Sequence, residues 1–181
     1  MVTLSFKKLD ALAARFEDKS QKAARVEVGF LSDMRSAKGE SYAKIAFWNE
    51  FGVKPWSKRQ ISRYKSTSKD KRILDKDKGK NREWFIPPRP FFRTMINKEM
   101  GTWSAKIARG IRTTTLPIES ILAQLGADIK GALQEEIRDW TAPENAPYTI
   151  EKKGFNNPLI DTGDFWKMAI EVETKKGMSD V

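Results

Sequence analysis

The feature that most constrains the fold is one long apolar stripe in the second half of the chain. From Pro117 to Trp140, large apolar side chains recur every three or four residues over 24 residues, about 36 Å of helix at 1.5 Å per residue. The stripe consists of Ile118, Ile121, Leu122, Leu125, Ile129, Leu133, Ile137 and Trp140. Gly126 and Gly131 lie within it, and glycines inside a helix often allow another element to approach closely.

Helical spacing recurs in three other places. Pro90 suits the first position of a helix that runs to about Arg112. Its apolar stripe consists of Phe92, Met95, Ile96, Trp103, Ile107 and Ile111. Residues 4–25 also have helical spacing. Ser41 predicts the cap of a short helix in which Tyr42, Ile45, Ala46 and Asn49 share a face, and Gly52 would end it in the left-handed conformation.

Two short segments far apart in the sequence alternate as strands do. Val26, Val28 and Phe30 alternate with other residues in segment 25–31, and Ile170 and Val172 do so near the C-terminus. We expect the two strands to pair antiparallel beside the helices. Residues 141–158 predict a loop, and the last eight residues predict a frayed end. The fold class is therefore α+β, a small antiparallel sheet packed against long helices.

Composition excludes several kinds of chemistry. The 181 residues include no cysteine and no histidine, which rules out disulfides, zinc fingers and catalytic triads with histidine. Acids at 135, 136, 139, 161 and 164 could hold a hard metal ion for phosphodiester cleavage. The alternative is that Glu135 and Asp139 are solvated on a helix face, while Asp161 or Thr162 forms a turn or cap. We expect neither an enzyme nor a cofactor.

The charge is concentrated in one segment, which we call the basic segment. Residues 53–83 contain twelve lysines and arginines against four acids, so they carry +8 of the net charge of +10. The cations are Lys54, Lys58, Arg59, Arg63, Lys65, Lys69, Lys71, Arg72, Lys76, Lys78, Lys80 and Arg82. The composition is typical of an insertion that is disordered alone or ordered on a partner. It predicts contacts with DNA or with an acidic protein, or else a solvated loop.

Large aromatic residues cluster around this segment. Trp48, Phe51, Trp56 and Trp84 lie within or beside it, and one small core cannot bury all of them. Surplus aromatic side chains on a polar chain indicate a protein interface, although local packing at the base of the insertion is an equal alternative.

Four sequence blocks occur in an order that resembles a known family. They are VEVGF at 26–30, YAKIAFWNEFG at 42–52, IPPRPFFR at 86–93, and APYTIEKKG at 146–154 leading to PLIDTG at 158–163. Together they resemble the neck and tail-completion proteins of long-tailed bacteriophages, the virion morphogenesis proteins. In that family the second and third blocks lie close together, whereas here 33 residues separate Gly52 from Ile86.

The resemblance implies a non-enzymatic ring subunit at the head–tail joint, with a hexameric ring expected. Its partners would be further copies, neighbouring neck or connector proteins and tail-tube proteins, with non-specific DNA contact through the basic segment. Arg89 and Arg93 are one helical turn apart and would bind carboxylates of a neighbouring subunit, or else form a salt bridge with Glu50 or Glu99 of the same chain. The prolines at 87, 88 and 90 would fix the chain direction.

The sequence thus predicts one ring-subunit domain made of residues 1–52 and 84–181, interrupted by the basic segment 53–83. No stretch approaches the 18 apolar residues of a membrane span, and residues 1–10 lack the apolar core of a signal peptide. We therefore expect an intracellular protein, and the resemblance implies assembly in the host cytoplasm and a place in the virion. Alternatives are a tail terminator or head–tail adaptor of another neck layer, or a nucleic-acid-binding protein that uses the basic segment.

Overall fold

The computed structural model describes residues 24–54 and 86–176, together with Ala14, which is helical. The predicted helix over residues 4–25 lies almost entirely outside these residues, and its last two residues belong to a strand instead. Trp56, Trp84 and every cation of the basic segment after Lys54 also lie outside them.

The sheet has two strands from opposite ends of the described chain. Strand β1 spans Ala24–Gly29 and strand β2 spans Glu171–Lys176. They pair antiparallel with Val28 opposite Val172, as predicted. The predicted fraying is wrong for residues 174–176, since these continue β2 opposite the first residues of β1. On the face away from the helices, Lys175 Nζ lies 3.0 Å from Glu27 Oε2.

Five helices complete the described part of the chain. Helix α1 spans Tyr42–Phe51, α2 spans Phe91–Thr113 and α3 spans Ile118–Asp139. Two short helices follow, α4 at Pro147–Lys153 and α5 at Asp164–Lys167. The fold class is α+β, as predicted. Within the described ranges, no helix combines the length and the apolar character that a membrane span requires.

The two long helices form an antiparallel hairpin. An ion pair joins Lys98 to Glu136. A second joins Lys106 to Asp128, nearer the loop that connects the two helices. Near the turn, Gly110 of α2 lies against the Ile121 side chain. Helix α3 also packs on both strands, so it lies between α2 and the sheet. Pro90 and Pro117 precede their helices as N-cap residues rather than occupying the first helical position.

The core forms where α1, α2, α3 and the C-terminal segment meet. Its fully enclosed side chains come from α2, α3 and the residue before β2: Phe91, Met95, Leu133, Ile137 and Ile170. Leu159, Phe165 and Ala169 complete the cluster from the C-terminal side, and Tyr42 and Ala46 from α1. The periodicity of α3 correctly predicts this face, because the positions that point inwards are those of its stripe.

The loop predicted over residues 141–158 is only partly correct. Pro147 opens α4 at a position where its missing N–H costs nothing. Gly154 ends the helix with a φ of 77°, in the left-handed conformation. Seven residues of this segment are therefore helical, because a proline and a glycine that typify loops also serve as the two boundaries of a short helix.

The two glycines of α3 differ in what they allow. A Cβ atom on Gly126 would lie 2.5 Å from Val172 Cγ1 and 2.7 Å from Val26 Cγ2. The absence of a side chain at this position therefore lets the sheet approach the helix, as predicted. At Gly131 none of the described residues lies within 4 Å of such a Cβ, so among them the prediction of close approach is wrong there.

We expect Gly126→Ala to lower the free energy of unfolding by about 1–3 kcal/mol, because the added methyl group overpacks the helix–sheet contact. The matched variant Gly131→Ala should raise it by about 1 kcal/mol, since alanine favours the helix and meets no neighbour. Denaturant unfolding measures both. Similar shifts in the two variants would contradict the close packing at Gly126.

Candidate functional site

Three of the sequence blocks that carry the family resemblance meet around one aromatic side chain. The ring of Phe165, just after PLIDTG, stacks on Phe30 at a centroid distance of 4.8 Å. It also contacts Phe91 of the IPPRPFFR block at 6.0 Å and Tyr42 of α1 at 6.1 Å. Side chains 135 positions apart in the sequence, Phe30 and Phe165, thus share one cluster.

A polar group borders this cluster. Thr162 Oγ1 donates to Asp164 Oδ2 at 2.8 Å, and the Tyr42 hydroxyl lies 3.5 Å from the same oxygen. Burial and the Asp164 carboxylate raise the pKa of Tyr42. Thr162 also receives the Asp164 N–H at 3.5 Å, so it shapes the turn before α5. Across the described ranges, no three acidic side chains converge as metal ligands would.

Glu50 joins the second block to the third by capping helix α2. Its carboxylate is buried at the end of α1, with Oε2 accepting the N–H of Phe92 at 2.9 Å and Oε1 that of Arg93 at 3.3 Å. Pro90 offers no capping side chain to α2. A carboxylate at these first-turn N–H groups also complements the helix dipole. The Arg93 side chain completes the arrangement, with Nε 2.7 Å from Oε1.

Arg89 forms a second link, to the loop after α3. Its side chain is buried, and it donates to three carbonyl oxygens: Asn49 Oδ1 at 3.1 Å, Pro143 O at 3.1 Å and Glu144 O at 3.3 Å. Its backbone N–H donates to Asn49 O at 2.6 Å. Burial lowers the pKa of Arg89. The fork of the guanidinium thus connects α1, the start of α2 and the 143–144 loop.

These contacts bear on the two alternatives for the arginines. The intrachain salt bridge with Glu50 is present for Arg93, whose side chain remains 56% exposed. Arg89 lies inside the subunit and bonds to carbonyl groups instead of the carboxylate of Glu50 or Glu99 that the sequence indicated. Contact of either arginine with a neighbouring subunit stays a prediction.

The basic segment leaves and rejoins the fold at one point. Val53 and Ile86 exchange two backbone hydrogen bonds, at 2.8 and 3.0 Å, in an antiparallel bridge. Gly52 precedes the bridge with a φ of 75°, positive as predicted, but its ψ of 169° is not that of a left-handed helix. A Cβ atom there would lie 2.8 Å from Ile86 O. The exposed Lys54 follows, so the positive charge starts directly beyond α1.

Helix α1 has apolar side chains on two sides. Tyr42 and Ala46 face the core, as predicted. One position along the helix, Ala43, Phe47 and Phe51 form a second row at intervals of one turn, which we call the outward stripe. Phe47 is 60% exposed and Phe51 is 49% exposed, although their ring centroids are only 4.8 Å apart.

Cations lie beside the outward stripe. The Arg93 guanidinium carbon is 5.0 Å from the centroid of the Phe51 ring. Lys44 Nζ is 4.7 Å from the half-buried Trp48 ring and also pairs with Glu40 at 2.7 Å. Phe51 and Trp48 are thus the two predicted interface aromatics that the structure describes, whereas Phe47 was not among the predicted residues. The signal for Phe47 was its four-residue spacing from Phe51 on the side opposite Tyr42.

A shallow cleft lies on the inner side of α1. It has a volume of about 210 Å³ and is bounded by α1, Lys153 and the 158–162 loop. Burial lowers the pKa of Lys153, while the nearby Asp161 carboxylate acts in the opposite sense. Lys38 is a second cation that lines the cleft.

Comparison with protein-family models, with curated proteins and with solved structures finds no match to this chain.

The Glu50 cap makes a stability prediction. We expect Glu50→Gln to lower the free energy of unfolding by about 2 kcal/mol, because the buried carboxylate accepts two backbone N–H groups and the Arg93 side chain. Asp128→Asn is the matched control. Asp128 pairs with Lys106, both side chains are exposed, and such a pair contributes at most about 1 kcal/mol. Equal losses in denaturant unfolding would contradict the special role of Glu50.

Proposed function

We propose that the chain is a structural protein of the head–tail joint of a long-tailed bacteriophage. It would be a non-enzymatic tail-completion or neck ring subunit that links the tail to the connector, with a hexamer as the expected ring. The observation that carries this proposal is the outward stripe of α1, with two phenylalanines 60% and 49% exposed on a helix whose other side is already buried.

The stripe supports an assembly role on physical grounds. A surface helix of a free-standing domain normally has one apolar side, and a helix that is apolar on two sides is normally buried on both. Exposed aromatic groups in a cluster mark protein interfaces, where they supply most of the binding energy. A subunit that is complete only within a larger particle would present such a surface.

The links around α1 support the same role. Glu50 and Arg89 tie α1 to the start of α2 and to the 143–144 loop through buried hydrogen bonds. These hydrogen bonds hold α1 in a fixed position. Binding to the stripe therefore costs less conformational entropy than binding to a flexible segment would. Closed rings need such a defined surface, because the angle between neighbouring subunits decides whether the ring closes.

The sequence blocks add to the proposal. The first three blocks and the PLIDTG block contribute to one structural unit, through the Phe165 cluster, the core position of Leu159 and the Asn49–Arg89 link. A tail terminator or head–tail adaptor of another neck layer would use the same features and remains the alternative placement.

We expect the double substitution Phe47→Ser and Phe51→Ser to prevent the protein from entering particles while leaving its fold intact, because both rings are exposed. Phage carrying these substitutions should lack the protein in purified virions by mass spectrometry. Met100→Ser is the matched control, since Met100 is 58% exposed on α2. A wild-type protein that is absent from virions and remains a monomer with its neck and tail partners would overturn the proposal.

A nucleic-acid-binding role is the second candidate, favoured by the +8 charge of the basic segment. We expect sequence-independent DNA binding that weakens steeply with salt, with a logarithmic slope of about −0.9 per phosphate contacted. The Val53–Ile86 bridge allows a clean deletion, in which an Asn-Gly turn replaces residues 54–85. If the full-length protein and the deletion variant bound DNA equally weakly across a salt series, DNA would be excluded as the partner of the segment.

A further inference from the structure

The chemistry around the outward stripe indicates which kind of protein would cover it. Arg93 exposes 56% of its side chain, whereas its partner Glu50 exposes only 7%. A docking partner would therefore meet the guanidinium but not the carboxylate that balances it. Lys44 adds a second half-exposed cation beside Trp48, paired with an equally accessible Glu40.

The positive charge of the basic segment adds to that of Arg93 and Lys44. The segment starts two residues after Phe51 and returns at Ile86, which is hydrogen-bonded to Val53. A net charge of +8 is therefore attached at the C-terminal end of the stripe, whatever path the segment takes. Carboxylates brought to this end of the stripe would be attracted, and cations would be repelled.

The same charge disfavours a second copy of this chain as the occupant. Two copies that met stripe to stripe would bring two attachment points of +8 together on chains of net charge +10. Like charges across an interface cost several kcal/mol when they are desolvated. The charge thus favours a different protein, one whose contact segment is acidic.

We propose that the outward stripe of α1 binds an acidic segment of a second protein, with two apolar side chains of that segment packed on Phe47 and Phe51. Its carboxylates would face Arg93, Lys44 and the start of the basic segment. The stripe runs about 12 Å along the helix, which suits two apolar side chains one helical turn apart. This inference rests on the proposed assembly function and names the chemistry of the partner.

The first experiment selects ligands without assuming a partner. A displayed library of random peptides of about twelve residues is panned on the full-length protein, after depletion on the Phe47→Ser, Phe51→Ser variant. We expect enrichment of peptides with a net negative charge and two large apolar residues three or four positions apart. The absence of enrichment, or enrichment of uncharged or basic peptides, would overturn the proposal.

The second experiment measures the strongest selected peptide by fluorescence anisotropy. The double serine variant should bind it about 30-fold more weakly or worse, as expected for the loss of central aromatic anchors. Met100→Ser should bind as the wild type does, and a peptide with lysines in place of its acids should not bind. Unchanged affinity in the double variant would contradict docking on the stripe. Circular dichroism and the unfolding midpoint of each variant check that it is folded.

Two further outcomes would reassign the stripe. A wild-type oligomer in sedimentation that dissociates in the double variant would make a second copy the occupant, which overturns this inference and leaves the ring proposal standing. Loss of duplex DNA binding in the double variant would make the stripe a nucleic-acid surface. Conversely, acidic peptide binding by a protein that is absent from virions would uphold the docking chemistry and refute the proposed function.

Discussion

The buried carboxylate of Glu50 is the interaction on which the arrangement of the described elements most depends. Helix α2 begins after a proline-rich segment that has no side chain to satisfy its first N–H groups. Glu50 supplies that cap from the end of α1 and receives the Arg93 side chain at 2.7 Å. An unbalanced carboxylate at 6% exposure would be very costly. The cap, the ion pair and the helix dipole therefore have to form together, and they fix the angle between α1 and α2.

The orientation of α1 follows from this constraint. Arg89 adds a second set of buried hydrogen bonds, which ties the Asn49 side chain to the loop after α3. Tyr42 and Ala46 are buried in the core. Phe47 and Phe51 lie on another side of the same helix, which faces solvent. The exposed aromatic surface is thus a consequence of a well-packed interior. Because the bonds of Glu50 and Arg89 hold α1 in place, this surface has a fixed position in the fold.

Charge and packing are divided between different parts of this protein. Many acids of the described α+β scaffold form ion pairs within it, such as Lys98–Glu136 and Lys106–Asp128. Most of the excess positive charge belongs to the basic segment, whose first residue, Val53, forms a β-bridge with Ile86. Phe51 lies two residues before Val53, so the outward stripe ends close to the point in the sequence at which this charged segment begins.

The sequence by itself determined the helices α2 and α3, the short helix after Ser41, the two strands and the α+β class. Each of these depends on a period of 3.6 or 2 and on residues that act locally. It also indicated that another element approaches α3 at Gly126, and it offered an intrachain salt bridge of Arg93 with Glu50 as one of several alternatives. Only the tertiary structure decided that Glu50 caps α2, that Arg89 bonds to carbonyl oxygens of residues 143 and 144, and that Phe47 faces solvent. The physical reason is that caps, buried donors and exposed apolar rows depend on which distant residues become neighbours, and periodicity along one segment carries no such information.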